Sequence, residues 1–341
     1  MLTSVQITGF RGIARSAALE LAPLTILLGP NGSGKSAVLD AVLIGSHSTP
    51  AEAVGRAVRR RGLTDSARWL IRGADPDAEA RIEIITPTAA RRTVLRFHED
   101  NKTTGIGDHP GPCGTIEAQL SNPGEASGGS LAAYTRFAYD DFYSVEHVRA
   151  NPILSRHVLL VDSFQPYQAV PLARGYDALL VGGRVGALHT LISKLVPGAK
   201  ELRIGVDAAN RPLLYVVYEG EAGAVPLGLA GDGVKLAVRA SMTLAEVREG
   251  VVLFEEPDAH LHPAAVWLLA KAMTEAVRGE VQVILSTHSL ELVDALIAEC
   301  IGDLSRLAIL QTRLRDGELV TVRIPGEEAR HDRADLAEDL R

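Results

Sequence analysis

In Leu24-Thr25-Ile26-Leu27-Leu28-Gly29-Pro30-Asn31-Gly32-Ser33-Gly34-Lys35-Ser36 an apolar run gives way to a glycine-rich turn ending in lysine and serine. Residues 24–28 predict a short buried strand, and residues 37–44 the start of a helix. The eight residues from Gly29 to Ser36 fit G-x-x-x-x-G-K-[S/T]. Glycine lets backbone wrap closely around a phosphate with its N–H groups pointing inward. A helix N-terminus behind the loop adds a favourable dipole for the anion. Lys35 is then expected to reach the β- and γ-phosphates of a nucleotide, and Ser36 to ligate Mg²⁺. Strand, loop and helix follow in the order this use requires, which a chance lysine in a glycine-rich turn would not explain.

The chain has 341 residues, enough for one large or two ordinary domains with ample core. Its 46% hydrophobic and 23% charged residues are in the globular range. Against 42 acidic side chains stand 35 lysines and arginines, a net charge of −7. That balance argues against a generally basic nucleic-acid-binding body and leaves room only for a local patch. Cys113 and Cys300 lie far apart and make no metal or redox spacing, so two free thiols are expected. Leu2-Thr3-Ser4-Val5-Gln6-Ile7 alternates as a half-buried strand does and lacks a signal peptide's apolar block. The apolar runs at 23–28 and 251–254 fall well below the roughly 20 residues that span a bilayer. A soluble, cytoplasmic protein without membrane contact is expected.

Residues 2–10 and 17–28 predict strands around Arg11-Gly12, and residues 45–77 an insertion of short helices, one at 51–61. Strand patterning returns at 80–86 and 92–98. Residues 101–130, rich in Gly, Pro, Ser and Asn, predict a long exposed loop with one short strand near Ile116. A strand is expected at 157–162, a helical face at Leu188, Leu191, Ile192, Leu195 and Val196, and a strand pair at 202–206 and 213–218. A helix at 234–248 is opened by Gly231-Asp232-Gly233. Further strands are expected at 251–254, 281–285 and 307–311, and Asp316-Gly317 signals a hairpin into 319–324.

Val251-Val252-Leu253-Phe254-Glu255-Glu256-Pro257-Asp258 is a second constellation, an apolar strand ending in paired carboxylates. In parallel sheets, ligands gather at the carboxyl ends of strands. One carboxylate can hold the metal through water and the other can orient or deprotonate an attacking water. Successive strand residues point to opposite sides, which suits two roles. Beyond a further strand, Ser286-Thr287-His288-Ser289 places an imidazole that can donate a hydrogen bond to the γ-phosphate.

Taken together and in this order, the phosphate loop, the Glu-Glu-Pro-Asp strand end and Ser-Thr-His-Ser resemble the ATP-binding-cassette class of P-loop ATPases. Within that class the chain is most similar to the soluble OLD/RecF/SMC group. Ile7-Thr8-Gly9-Phe10-Arg11-Gly12 resembles that group's N-terminal strand, whose arginine reaches the nucleotide. Leu229-Ala230-Gly231-Asp232-Gly233-Val234-Lys235 resembles its Gly-Asp-Gly form of the signature motif, and Glu255 to Pro263 its acidic strand end and following loop. Asp339-Leu340-Arg341 looks like its tail.

The resemblance implies an α/β fold: a P-loop NTPase, ABC-ATPase-like and two-lobed, with a mostly parallel core sheet, an antiparallel β subdomain and helical insertions. It implies one ATPase domain over 1–341, with a lobe at 1–165 carrying the phosphate loop and a lobe at 166–341 carrying signature, acids and switch histidine. ATP and Mg²⁺ are the implied cofactors. Arg11, Asn31, Gly32, Ser33, Gly34, Lys35 and Ser36 would bind the nucleotide from one side. Gly231, Asp232 and Gly233 of a second copy would close it in an ATP-dependent homodimer, where a side chain at position 233 should block the partner's phosphate. Glu256, His288 and Lys35 are the implied catalytic residues, and Ser36, Glu255 and Gln165 the metal ligands. DNA, in repair, recombination or phage defence, is the implied target, with a separate nuclease or effector protein as partner.

The chain departs from the pattern in three places. Glu255 stands where a typical cassette has aspartate, Ala230 or Gly231 where the signature has serine, and no Toprim nuclease domain is expected after the ATPase. The missing serine counts against a transporter's energising subunit. A nucleotide-gated switch or scaffold acting on a protein partner is the alternative, opposed by intact Lys35, Ser36 and Glu256. Arg56, Arg59, Arg60 and Arg61 cluster on a predicted helix and read as a solvated face rather than a nucleic-acid patch. Trp69 and Trp267 are expected in core or interface packing, and His260 and His262 in an interface loop rather than a metal site.

Overall fold

The computed structural model describes residues 1–60, 64–100, 113–121, 131–138, 141–147, 157–162, 169–220 and 223–340. In chain order the first elements are β1 (Ser4–Phe10), β2 (Ile13–Ser16), β3 (Leu19–Glu20), β4 (Leu24–Leu28), α1 (Lys35–Ser46) and α2 (Pro50–Arg59). Five strands follow: β5 (Glu79–Ile85), β6 (Ala90–Asp100), β7 (Cys113–Ser121), β8 (Leu131–Ala138) and β9 (Asp141–His147). Next come β10 (Val158–Asp162), α3 (Ala169–Val181), α4 (Val185–Leu195), β11 (Ala199–Val206), β12 (Pro212–Tyr218), β13 (Ala224–Pro226) and α5 (Asp232–Glu246). The chain continues with β14 (Gly250–Glu255), α6 (Pro263–Arg278), β15 (Val281–Thr287), α7 (Leu290–Glu299), β16 (Leu307–Arg315), β17 (Glu318–Pro325) and α8 (Gly326–Arg330).

Two compact units divide these elements. The first comprises Met1–Ala22, Leu27–Val158 and Ile309–Ile324; the second comprises Pro23–Ile26, Leu159–Ala308 and Pro325–Arg341. In the first unit the strand order runs β16-β17-β2-β1-β5-β6-β7-β8-β9, with β3 on β1. From β5 to β9 it is an antiparallel meander in regular register, for example Leu95 opposite Ala118 and Ala118 opposite Ala133. Helices α1 and α2 cover this sheet. Thr135 on β8 donates a hydrogen bond to the Ala51 carbonyl of α2 at 2.8 Å. Gly45 lets α1 lie close on β5, since a Cβ there would come within 2.7 Å of Ile82 Cγ2 and 2.8 Å of Ile84 Cγ1.

In the second unit the order is β10-β14-β15-β4. Strands β14 and β15 pair in parallel, with Val252 opposite Val283 and Glu255 opposite Ser286. All residues of β4, β14 and β15 are buried. Continuous apolar runs are what a parallel strand covered on both faces requires. Helix α6 packs on β15 and against α7. A separate antiparallel sheet, β11-β12-β13, packs with α3 and α4.

The parallel core and the antiparallel subdomain expected from the sequence are both present. Two local expectations need correction. Residues 17–28 are not one strand: β3 covers only Leu19–Glu20, and β4 begins at Leu24 after a break. Near Ile116 the strand is not short: β7 spans nine residues and pairs on both edges. Ile116, Ala118 and Leu120 are buried while Thr115, Glu117 and Gln119 between them are half-buried, an alternation hidden in a Gly- and Pro-rich neighbourhood. The rest of the predicted loop, 101–112 and 122–130, lies outside the described residues.

Substituting Gly45→Val should destabilise the protein by about 1–3 kcal/mol, because the branched side chain must displace Ile82 and Ile84. A chemical denaturation midpoint equal to wild type would contradict this packing.

Candidate functional site: the phosphate loop and the acidic strand end

The first unit carries the phosphate loop. Gly32 and Gly34 sit at φ 76° and 97°, a region that side chains disfavour. Gly34 caps the N-terminus of α1. Gly29 is set by a close approach instead: a Cβ there would lie 2.5 Å from the Thr312 carbonyl oxygen of β16. Thr312 also braces the loop from below. Its hydroxyl donates to the Leu28 carbonyl at 3.2 Å and lies 2.7 Å from Ser33 Oγ, which is then the donor in that pair. Ser33 is buried, and its backbone N–H donates to the Pro30 carbonyl at 3.2 Å. Asn31 and Gly32 are exposed, and Gly34 and Ser36 half-buried. Lys35 is buried, with Nζ donating to the carbonyls of Gly29 at 2.7 Å and Pro30 at 3.0 Å. Its ammonium therefore lies over the loop, where an incoming phosphate would compete with those carbonyls.

Arg11 lies between β1 and β2 at φ 52°, and its N–H donates to the Leu70 carbonyl at 2.9 Å. Its guanidinium forms an ion pair with Asp40 of α1. Arg60, the residue that caps α2, takes the other Asp40 oxygen at 2.9 Å. Sequence reasoning did not find this triad, since Asp40 lies 29 residues from Arg11 and 20 from Arg60 and the three share no motif. It also corrects the reading of the arginine cluster. Arg60 is buried rather than solvated, Arg56 pairs with Glu52, and Arg61 lies outside the described residues.

The second unit carries the acidic strand end. Glu255 closes β14 and is buried. Glu256 follows at φ 48°, its N–H donating to the Ser286 carbonyl at 2.9 Å. A left-handed backbone at a non-glycine residue costs about 1–3 kcal/mol, and such residues gather at functional sites. The kink turns Glu256 toward His288, with Oε1 and Nε2 3.4 Å apart and both side chains about one-third exposed, 36% and 34%. His288 is framed by its neighbours. Thr287 Oγ1 donates to Asp258 at 2.7 Å and accepts from the Ser289 N–H at 2.9 Å. Ser289 caps α7 by accepting from the Leu292 N–H at 3.2 Å. The Asp258–Thr287 bond gives a structural use to two motif residues without a role in the sequence reading.

Gly231 caps α5, its carbonyl accepting from the N–H groups of Val234 and Lys235. A Cβ at Gly231 would meet nothing within 4 Å. At Gly233 a Cβ would lie 2.4 Å from the His260 carbonyl oxygen of the same unit. The expectation that a side chain at 233 would act by blocking a partner's phosphate is therefore corrected: it would first strike its own chain. Gln165, the expected metal-sensing residue, lies outside the described residues.

His262 caps α6 by accepting from the Ala264 N–H at 3.2 Å, which occupies Nδ1. Trp69 and Trp267 are not core residues in this chain, being 55% and 43% exposed. Burial pushes the Cys300 thiol up to about 11, so it stays protonated and unreactive near neutrality. A groove of about 480 Å³ between α4, α5 and α6 has apolar walls such as Leu188, Leu244 and Leu268, and none of the residues above lines it.

Gly233→Ala should lower stability by about 1–3 kcal/mol through the clash with His260. Gly231→Ala should change it by no more than about 0.5 kcal/mol. Equal thermal midpoints for the two variants would contradict this placement of the α5 start.

Comparison with known proteins adds the family. The one described as "AAA domain, putative AbiEii toxin, Type IV TA system" matches residues 24–109 and 140–294. An uncharacterized protein of Methanocaldococcus jannaschii is 32% identical over 113 residues, 33% of this chain and 98% of that protein. An Smc head bound to the C-winged helix domain of ScpA matches with a TM-score of 0.55 and 16% identity, covering 96% of this chain and 99% of that one. An Smc head with an extended coiled coil, bound to the C-terminal domain of ScpA and derived from Pyrococcus furiosus, matches with a TM-score of 0.55 and 14% identity, covering 99% of each chain. At such identities the likeness is one of fold, that of a P-loop NTPase built like an ABC-ATPase head.

Proposed function

The chain belongs to the AAA_21 family of AAA domains, and on that premise we propose that it binds and hydrolyses Mg-ATP with the residues described above. It is a P-loop ATPase of the ABC/SMC-like kind. The observation that carries it is the Glu256–His288 pair, set at the ends of adjacent parallel strands, where ligands gather in such sheets. In this reading one nucleotide is held by the phosphate loop and acted on by the acidic strand end.

The donors suit the ligand. Backbone of Asn31 to Ser36 and the Lys35 ammonium would hold the β- and γ-phosphates. Arg11 would add a guanidinium. The Ser36 hydroxyl and Glu255 carboxylate are hard oxygen donors of the kind Mg²⁺ takes alongside substrate phosphates, with Gln165 as a further ligand. Bound there, Mg²⁺ would neutralise charge on the phosphates. Glu256 accepts the proton of the attacking water, and the water's oxygen forms the new bond to the γ-phosphorus as the ADP oxygen leaves. His288 orients the carboxylate and donates to the γ-phosphate.

We place the chain with OLD/RecF-like ATPases, as one two-lobed ATPase domain over 1–341. A second copy would present Gly231, Asp232 and Gly233 to the nucleotide, giving an ATP-dependent homodimer. The process served would be DNA-related, repair or phage defence, in the cytoplasm. The family description points to a toxin–antitoxin setting, and the matched Smc heads are bound to a separate protein. Both support a separate effector partner for this chain too, and keep a nucleotide-gated switch as the second reading. No helix among the described residues is long and apolar enough to cross a membrane.

Lys35→Ala should abolish ATP binding, and Glu256→Gln should retain binding while slowing turnover by roughly 10² or more. Glu255→Gln should raise the Mg²⁺ concentration needed. Normal turnover in Glu256→Gln would remove Glu256 as the base. Glu256→Gln should sediment as a dimer with Mg-ATP, and adding Gly231→Trp should prevent this, since position 231 is open within its own chain. A Glu256→Gln protein that stays monomeric at saturating ATP would overturn the dimer. Stimulation of the wild-type rate by double-stranded DNA would support the DNA-related role, and indifference to it the switch.

A further inference from the structure

We propose that Asp40 is a positioning residue for Arg11, and that through Arg60 it ties the place of the Arg11 guanidinium at the nucleotide to helix α2. The proposal rests on the nucleotide-binding reading of the phosphate loop. Helix α1 starts at Lys35, directly behind that loop. Asp40 lies four residues after Ser36, on the same helical face, and side chains in a helix lean toward its N-terminus. The Asp40 carboxylate is thereby directed along the face that carries Ser36. Arg11, which grips that carboxylate, is held beside the first turn of α1, where the dipole and the loop would hold phosphate.

The three side chains differ in access. Those of Asp40 and Arg60 are 1% and 2% exposed, whereas that of Arg11 is 26% exposed. The buried pair is the anchor and Arg11 the part that a ligand can meet. A guanidinium has five N–H donors in a rigid fork, so it can hold a carboxylate with one edge and a phosphate with another. The rest of α1 gives no local reason for the charge, since Val38, Leu39, Ala41, Val42, Leu43 and Ile44 around it are buried and apolar. Apolar side chains often replace buried ion clusters with no loss of stability. The use of the cluster is therefore geometric: it fixes Arg11, whose backbone N–H is already tied to Leu70. Arg60 caps α2, so the second hold on the Asp40 carboxylate, and with it the setting of Arg11, depends on where that helix end lies.

The test is a double-mutant cycle read by equilibrium Mg-ATP binding in the full chain, with thermal midpoints recorded beside it. Asp40→Asn keeps the shape and removes the charge. It should weaken binding about tenfold, the worth of one charge-assisted hydrogen bond. Arg11→Gln should weaken binding at least as much, and the double variant should bind within about twofold of Arg11→Gln alone, because both changes remove one interaction. If Asp40→Asn does not fold, Arg60→Lys takes its place, with weakening expected in the wild-type background and none beside Arg11→Gln. Binding by Asp40→Asn equal to wild type, or effects that multiply in the double variant, would overturn the relay. A purely structural Asp40 would lower the thermal midpoint and leave the affinity of the folded protein unchanged. Lys35→Ala separates the two levels: if it loses ATP while Asp40→Asn binds normally, only the relay fails. No ATP binding by the wild-type chain would overturn the nucleotide reading and the relay with it.

Discussion

The close approach of Gly29 to Thr312 is the constraint on which the phosphate loop depends. No side chain fits at position 29, because its Cβ would stand 2.5 Å from a backbone oxygen. The same threonine braces Leu28 and Ser33 through its hydroxyl. The loop is therefore fixed at its entry by packing and at its exit by the left-handed Gly34 that starts α1. Backbone held this way does not have to be reorganised to receive an anion, which is what preorganised electrostatic sites require.

The second unit uses a different device. Burial on both faces holds β14 and β15 in parallel register. The chain leaves β14 through a strained residue, Glu256, whose backbone N–H is tied to Ser286. The strain is local, and the cooperative burial of the core offsets it. It separates two consecutive carboxylates by environment, Glu255 buried and Glu256 part-exposed beside His288.

Much of this was legible in the residues. Strand β4 is a mainly apolar run leading into glycine, β14 one ending in acid, and β15 a buried run that carries Gln282 and leads into His288; their motifs stand at the strand ends. What escaped was non-local or conformational. The Arg11–Asp40–Arg60 triad joins residues that no periodicity links. The left-handed Glu256 has no signature, since glutamate is not a residue chosen for that region. Strand β7 alternates correctly but sits among turn-forming residues that masked it. The motif suggests that Gly233 is open to a partner, whereas its space is taken by His260. Trp69 and Trp267 followed apolar helical patterns and are nevertheless exposed.

The central proposal is that Mg-ATP binds at the phosphate loop and that the acidic strand end takes part in its hydrolysis. Amide hydrogen exchange of Glu256→Gln, with and without Mg-ATP, tests it most directly. Slowed exchange is expected in two separate segments, Gly29 to Ser36 and Glu255 to His288. Protection confined to the first segment at saturating ATP would contradict a role for the acidic strand end.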